Sequence, residues 1–244
     1  MRLCDFGIGV PSYARGARPR HAGKRHAAAP QVRASNLRST PMSRFSPEFF
    51  DSVYRETPPW DIGAAQPAIL ALLDEYPPEG PALDVGCGSG DHVFALAGRG
   101  VQVLGIDVVE AAIAQARARA EALPPAVARL LEFKVGDALH PTLLQRRFGA
   151  VVDSGFFHLF EQDQRDRLAD ELEATLLPGG RYYLLAFAVE FPMPNTPLKV
   201  TEDELRARFT AERGWRILEV RPAQFESRIA PVPAVAACIE RLRG

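Results

Sequence analysis

Three glycines at alternate positions, Gly86, Gly88 and Gly90, follow directly on the short apolar run Leu83–Val85, and helical spacing begins just after them at Phe94, Ala95 and Leu96. A strand that breaks into glycines before a helix N-terminus brings bare backbone close to a ligand, because glycine accepts turns and approaches that a Cβ forbids. At the C-terminal edge of a parallel sheet such a loop forms the crevice that receives a nucleotide. The stretch Ala82–Asp91 therefore points to an α/β fold with a doubly wound sheet.

A second strand reinforces that reading. Val101–Asp107 is apolar and ends in an acid, and Asp107 lies 21 residues beyond Gly86, about where a ribose-binding carboxylate is expected. The loop departs from the dehydrogenase pattern. Counting G-x-G-x-x-G from Gly86 places Asp91 at the third glycine, the one that permits close helix–strand packing.

Asp84-Val-Gly-Cys-Gly-Ser-Gly90 followed by Gly105-Ile-Asp107 resembles motif I and the next acidic strand end of class I S-adenosylmethionine-dependent methyltransferases. The resemblance runs from about Tyr54 to the C-terminus. It implies a single Rossmann-like α/β domain over residues 42–244, with a seven-stranded, mostly parallel sheet and an antiparallel C-terminal strand. The implied cofactor is S-adenosyl-L-methionine, held by Asp84, Gly86, Cys87, Gly88, Gly90, Asp107 and Val108 along these two motifs.

Composition bounds the alternatives. The formal net charge of −1 conceals an asymmetry: residues 1–41 hold eight Lys/Arg against Asp5 alone, leaving 21 basic and 29 acidic side chains in the remainder. An acidic body is a poor surface for the phosphate contacts that dominate nucleic-acid affinity. The basic segment lacks apolar periodicity and is expected to be disordered. It reads as a nucleic-acid-binding arm, as an Arg-rich targeting segment, or as sequence upstream of a true start at Met42, the last being favoured. Cys4, Cys87 and Cys238 show neither metal spacing nor an even framework, which suits a reduced cytoplasmic setting. No apolar run reaches the roughly 18 residues of a membrane span.

Along the chain, Pro47–Tyr54 has the spacing of a helix with proline in its first turn. Thr57-Pro-Pro-Trp-Asp-Ile-Gly63 is a rigid stretch, and a second helix is expected over Gln66–Tyr76. The Pro-Trp-Asp-x-Gly element is similar to a segment of thiopurine, thiol/halide and tellurite-resistance methyltransferases, and a hydrophobic plug would use the same residues. By the resemblance Tyr54, Trp60 and Gly63 cover the methionine end of the cofactor, where an aromatic face attracts a sulfonium cation. Glu110–Leu123 is strongly helix-favouring. Leu130–Val135 reads as the third strand, and the resemblance places Gly136, Asp137 and Ala138 against the adenine.

Phe148–Asp153 reads as the fourth strand. Asp153 is assigned to the cofactor by the resemblance, while Ser154, Gly155 and His158, at the ligand-facing edge of the sheet, are candidates for the acceptor floor and Phe156 and Phe157 for its apolar wall, together with Tyr54 and Trp60. Two helix-spaced segments over Asp163–Leu177, the turn Leu177-Pro-Gly-Gly180 and a fifth strand Arg181–Phe187 follow. Thr201-Glu-Asp-Glu204 is a capping box, and Trp215–Val220 and Ala223–Ile229 suit a closing antiparallel pair.

A methyltransferase of this type needs chiefly to align its acceptor and exclude water. A neutral hydroxyl or ring N–H also needs a base, and His158 is the best placed of the histidines. The Asn/Asp-Pro-Pro-aromatic motif of nucleic-acid amine methylases is absent after the fourth strand, where Asp153-Ser-Gly-Phe stands, and no cluster has metal-ligand spacing. The expected function is methyl transfer to an O, S or heterocyclic N atom of a small molecule by a monomer or homodimer. The competing readings are an NAD(P)-dependent oxidoreductase and a non-catalytic cofactor- or nucleic-acid-binding module using the basic segment.

Overall fold

The first strand, β1 (Ala82–Val85), is buried at every residue and lies between β2 (Val103–Asp107) and β4 (Phe148–Ser154), parallel to both. This is a computed structural model, and it describes residues 45–193 and 195–243. The basic segment 1–41 and Met42 lie outside the described residues. With β3 (Leu131–Val135), β5 (Leu176–Phe187), β6 (Trp215–Phe225) and β7 (Val232–Arg241), the sheet has the order β3-β2-β1-β4-β5-β7-β6. Strands β1–β5 run parallel, and β7 pairs antiparallel with both β5 and β6. The seven-stranded, mostly parallel sheet expected from the sequence is the one observed.

Successive side chains of a strand point to opposite faces, and the two faces carry separate cores. Leu83, Val85, Leu104, Ile106 and Val151 pack into one; Ala82, Val103, Ala150 and Val152 pack into the other. Helices α1 (Pro47–Val53), α2 (Pro67–Glu75), α3 (Asp91–Gly98), α4 (Glu110–Ala120), α5 (Pro125–Ala128), α6 (Gln162–Thr175) and α7 (Glu202–Arg208) supply the cover. Leu168 and Leu172 of α6 with Leu205 of α7 fill the first face, and Ile69, Leu72, Val93, Leu96 and Ile113 of α2, α3 and α4 fill the second. Side chains of this kind each contribute roughly 1.5–3 kcal/mol when fully buried. This two-sided cover is what makes the sheet doubly wound and turns the C-terminal ends of β1, β2 and β4 into a shared ligand edge.

Some element boundaries differ from the sequence expectation. The closing pair is β6 and β7, not Trp215–Val220 with Ala223–Ile229, because β6 continues through Pro222 to Phe225. Proline has no N–H to donate and is tolerated on an edge strand, and β6 is the edge. Residues 163–177 do not split into two segments; one helix, α6, spans Gln162–Thr175, closed by a capping box between Glu161 and Gln164. The Leu177–Gly180 turn survives as an irregularity inside β5, where pairing passes from Phe148–Leu176 to Ala150–Arg181. At α7 only half of the expected capping box forms: Thr201 Oγ1 accepts from the Glu204 N–H at 3.2 Å, while the Glu204 carboxylate is taken by Arg165 and Arg208.

Candidate active site

Backbone geometry at the end of β1 sets the floor of the site. Gly86, Gly88 and Gly90 all have positive φ, and at Gly88 an added Cβ would stand 2.6 Å from the Tyr54 hydroxyl. At Gly86 it would meet the Phe156 ring at 2.8 Å. The loop therefore requires glycine for shape as well as for conformation.

Asp107, at the end of β2, ties the loop in place. Its Oδ2 accepts from the Gly88 N–H at 2.9 Å and its Oδ1 from the Val109 N–H at 2.9 Å. Burial pushes this carboxyl above the usual range, and the N–H donors at Val109 and Gly88 pull it back.

The Trp60 segment closes over the loop. Asp61 accepts from the Gly63 N–H at 3.1 Å through Oδ1 and from the Ser89 hydroxyl at 2.7 Å through Oδ2. Arg119 donates to both the carbonyl and the hydroxyl oxygen of Ser89 and pairs with Asp91. The Trp60 Nε1–H donates to the Tyr54 hydroxyl at 3.4 Å, with the two rings edge-on and 6.3 Å apart. Tyr54 is buried, and desolvation first and the Asp107 charge second raise its phenol pKa. His92, at the start of α3, accepts from the Gln66 N–H through Nε2 at 3.1 Å, and burial lowers it to about 4.

These elements enclose a cavity of about 270 Å³ that runs from the glycine loop to the end of β4. Of the residues expected from the sequence, it brings together Tyr54, Trp60, Gly86, Cys87, Gly88, Asp107, Val108, Ser154 and His158. Sequence reasoning missed Asp61, Ser89, Phe187 and Phe225 as wall residues, along with Phe45 just before α1, Phe49 within it, and Asn195–Pro197. The Trp-Asp-x-Gly signal pointed to the neighbourhood of Asp61; nothing local marks Phe225, which arrives from the edge strand.

Several expected residues do not reach the cavity wall. Asp84 is buried beneath the loop, its Oδ2 without a partner among the described residues, and desolvation, then Asp153 and Asp107, hold its carboxyl well above the usual range. Gly90 is spent as the left-handed N-cap of α3 against Phe133 and Phe94. Gly136 and Ala138 also lie off the wall, and Asp137 closes its own turn by accepting from the Leu139 N–H at 2.9 Å.

Asp153 lies off the cavity wall, inside a cluster of hydrogen bonds. It is fully buried and accepts from the Tyr182 hydroxyl at 2.8 Å, from the Phe156 N–H at 2.9 Å and from the Phe157 N–H at 3.1 Å. Desolvation raises its carboxyl to about 6 against those donors. Phe157 is likewise not a pocket wall. The short 3-10 turn Phe157–Leu159 turns it into the core, between the guanidinium groups of Arg165 and Arg208, and leaves Phe156 on the cavity.

His158 lines the cavity, but it is not equipped as a base. Its Nδ1 accepts from the Phe187 N–H at 3.1 Å and its ring stacks on Phe187 at 4.3 Å between centroids. Desolvation, then the Arg165 charge, lowers it to about 3. A neutral imidazole that accepts at Nδ1 carries its proton on Nε2, so the ring offers the cavity a donor.

The donor set fits a nucleoside carrying a sulfonium. The glycine cradle admits backbone contact, the Asp107 carboxylate keeps lone pairs for hydroxyls, Val108 supplies an apolar contact, and Tyr54 and Trp60 present π-faces suited to a cation. No His/Cys/Asp/Glu group among the described residues could hold a metal ion.

Comparison with known proteins bears on the family. A family model for a methyltransferase domain matches residues 82–180. The chain is 31% identical over 187 residues to a 2-heptyl-1-hydroxyquinolin-4(1H)-one methyltransferase of Mycobacteroides abscessus, covering 72% of this chain and 80% of that one. It is 33% identical over 148 residues to thiocyanate methyltransferase 1 of Arabidopsis thaliana, covering 59% of this chain and 63% of the relative. A solved structure described for the conversion of a disulfide bond into a thioacetal group during echinomycin biosynthesis aligns with a TM-score of 0.69 at 34% identity, over 81% of this chain and 93% of that one.

Proposed function

The chain belongs to the class I S-adenosylmethionine-dependent methyltransferases, and from that premise we propose that it methylates an O, S or heterocyclic N atom of a flat, apolar small molecule. One observation carries the proposal: a single cavity joins the glycine loop and Asp107 to the aromatic walls and polar floor at Ser154–His158. The names of the relatives, a hydroxyquinolone methyltransferase and a thiocyanate methyltransferase, support an oxygen or sulfur acceptor.

S-adenosyl-L-methionine, when bound, supplies an electrophilic methyl group on a cationic sulfur. The residues of this chain orient and shield. Asp107 holds the loop and accepts from ribose hydroxyls with its remaining lone pairs. Tyr54 and Trp60 flank the cation and keep water from it. Phe156, Phe187 and Phe225 align a flat acceptor, an arrangement able to replace much of the entropic cost of bringing two reactants together.

Supporting a cytoplasmic setting, Cys87 and Cys238 are buried free thiols, the state expected in a reducing compartment. No helix among the described residues is long and apolar enough to cross a membrane. We take the working unit to be a monomer or homodimer, without a nucleic-acid partner.

The test is release of S-adenosylhomocysteine over a panel of hydroxyquinolones, phenols, quinols, thiols and iodide. Turnover confined to one class supports the proposal. Tight cofactor binding with silence across the panel contradicts a small-molecule acceptor.

A further inference from the structure

We propose that the acceptor end of the cavity takes its substrate as a preformed, ring-conjugated oxyanion, held by the His158 Nε2–H. The inference rests on the methyl-transfer reading and adds the charge state and acceptor class that this site selects.

One polar group on the cavity wall carries it, the His158 ring. His158 is 3% exposed. With Nδ1 occupied by the Phe187 N–H at 3.1 Å, its proton stands on Nε2, for which no protein partner is found among the described residues. Buried polar groups are normally paired, and each one left unpaired costs free energy. A ligand that accepts from Nε2 satisfies it. Phe187, stacked at 4.3 Å, and Phe225, at 6.3 Å, hold the imidazole in place.

The surrounding charges leave no group poised to remove a proton. Arg165, on α6, faces His158 electrostatically and opposes its protonation, and Arg165 is itself paired with Glu204 of α7 at 2.7 Å. The carboxylates on the cavity are engaged elsewhere: Asp61 with Ser89 and Gly63, Asp91 with Arg119, Asp107 with Gly88 and Val109. Burial holds the Tyr54 hydroxyl and the Cys87 thiol in their neutral forms. His92 already accepts at Nε2.

No lysine or arginine lines the cavity among the described residues. The countercharge for an anionic acceptor is therefore the sulfonium, with the Nε2–H strengthening the anion's hold as a charge-assisted hydrogen bond. The oxyanion lone pair forms the O–CH3 bond while the S–CH3 pair returns to sulfur. Both charges are discharged, and no proton has to leave. The geometry thus selects hydroxylated flat heterocycles and phenols acidic enough to be ionised in solution.

The test uses 4-nitrophenol, whose ionised form is coloured, titrated by absorbance against the full-length protein saturated with sinefungin, a cofactor analogue whose ammonium group stands in for the sulfonium charge. The bound phenol is expected to ionise about one pH unit or more below the free one, a roughly tenfold preference for the anion. His158→Phe should cut that preference by about threefold to tenfold. His158→Asn can accept from the Phe187 N–H and still donate, and should retain it. Equal ionisation of bound and free phenol, undiminished preference in His158→Phe, or failure of the phenolate to bind would overturn the inference. Binding of S-adenosylhomocysteine itself is measured separately in every variant, so a failure of the methyltransferase reading shows as loss of that binding in the wild type.

Discussion

Gly88 and Asp107 are joined by a hydrogen bond of 2.9 Å from the glycine N–H to Oδ2, and the other carboxylate oxygen takes the N–H of Val109. The glycine loop after β1 and the acid after β2 are thus one unit, in which the acid proposed to meet the ribose also fixes the loop. Replacing Asp107 by Ala removes the proposed ligand contact and frees two buried N–H donors. Calorimetry should show the dissociation constant for S-adenosylhomocysteine rising by roughly tenfold or more. An unchanged constant would remove Asp107 from the cofactor site.

Gly88 gives a sharper steric prediction. Its φ is +53°, and a Cβ there would lie 2.6 Å from the Tyr54 hydroxyl. Gly88→Ala should cost about 1–3 kcal/mol in urea denaturation. The same substitution in a Tyr54→Phe background should cost less, because the colliding oxygen is gone while the backbone strain persists. Strict additivity of the two substitutions would show that this contact is not what demands glycine.

Under the acceptor floor, Arg165 is fully buried and reaches both carboxylate oxygens of Glu204, at 2.7 and 2.9 Å. Arg208 shares the same carboxylate at 2.6 Å. Removing one partner of a buried pair strands the other charge, so Glu204→Ala should lose about 3–5 kcal/mol of stability. A loss below about 1 kcal/mol would mean that the carbonyls of Phe157, Leu198 and Lys199 satisfy Arg165 unaided.

The low value of His158, about 3, has a pH signature. The unfolded state gains a proton on this group near pH 6.5, whereas the folded state resists it until about pH 3. Its contribution is therefore complete above pH 6.5 and is lost as pH falls through the window below. Relative to His158→Asn, the wild type should lose up to about 1.4 kcal/mol of unfolding free energy per pH unit on acidification through that window. Parallel stability curves for the two proteins would contradict a neutral buried imidazole.

What could be read from the sequence was what is encoded locally. The β1 and β2 motifs, with Gly86, Gly88 and Asp107, follow from apolar runs ending at fixed spacings, and the sheet follows from their repetition. The failures concern choices that tertiary packing makes. Phe156 and Phe157 are adjacent and chemically alike, and only the turn at Phe157–Leu159 decides which faces the cavity. Asp153 and Ser154 are neighbours on one strand, and alternation sends the acid to Tyr182 and leaves Ser154 on the cavity wall. The role of His158 depends on Phe187, 29 residues away. Pro222 reads as a strand break until its strand is known to be the sheet edge.

A crystal structure of the ternary complex with S-adenosylhomocysteine and the best acceptor from the panel tests the central claim most directly. The account predicts the ribose hydroxyls on Asp107, the sulfur beside Tyr54 and Trp60, and the acceptor heteroatom facing that sulfur from the Ser154–His158 side. An acceptor bound outside this cavity, or a ribose without contact to Asp107, would contradict it.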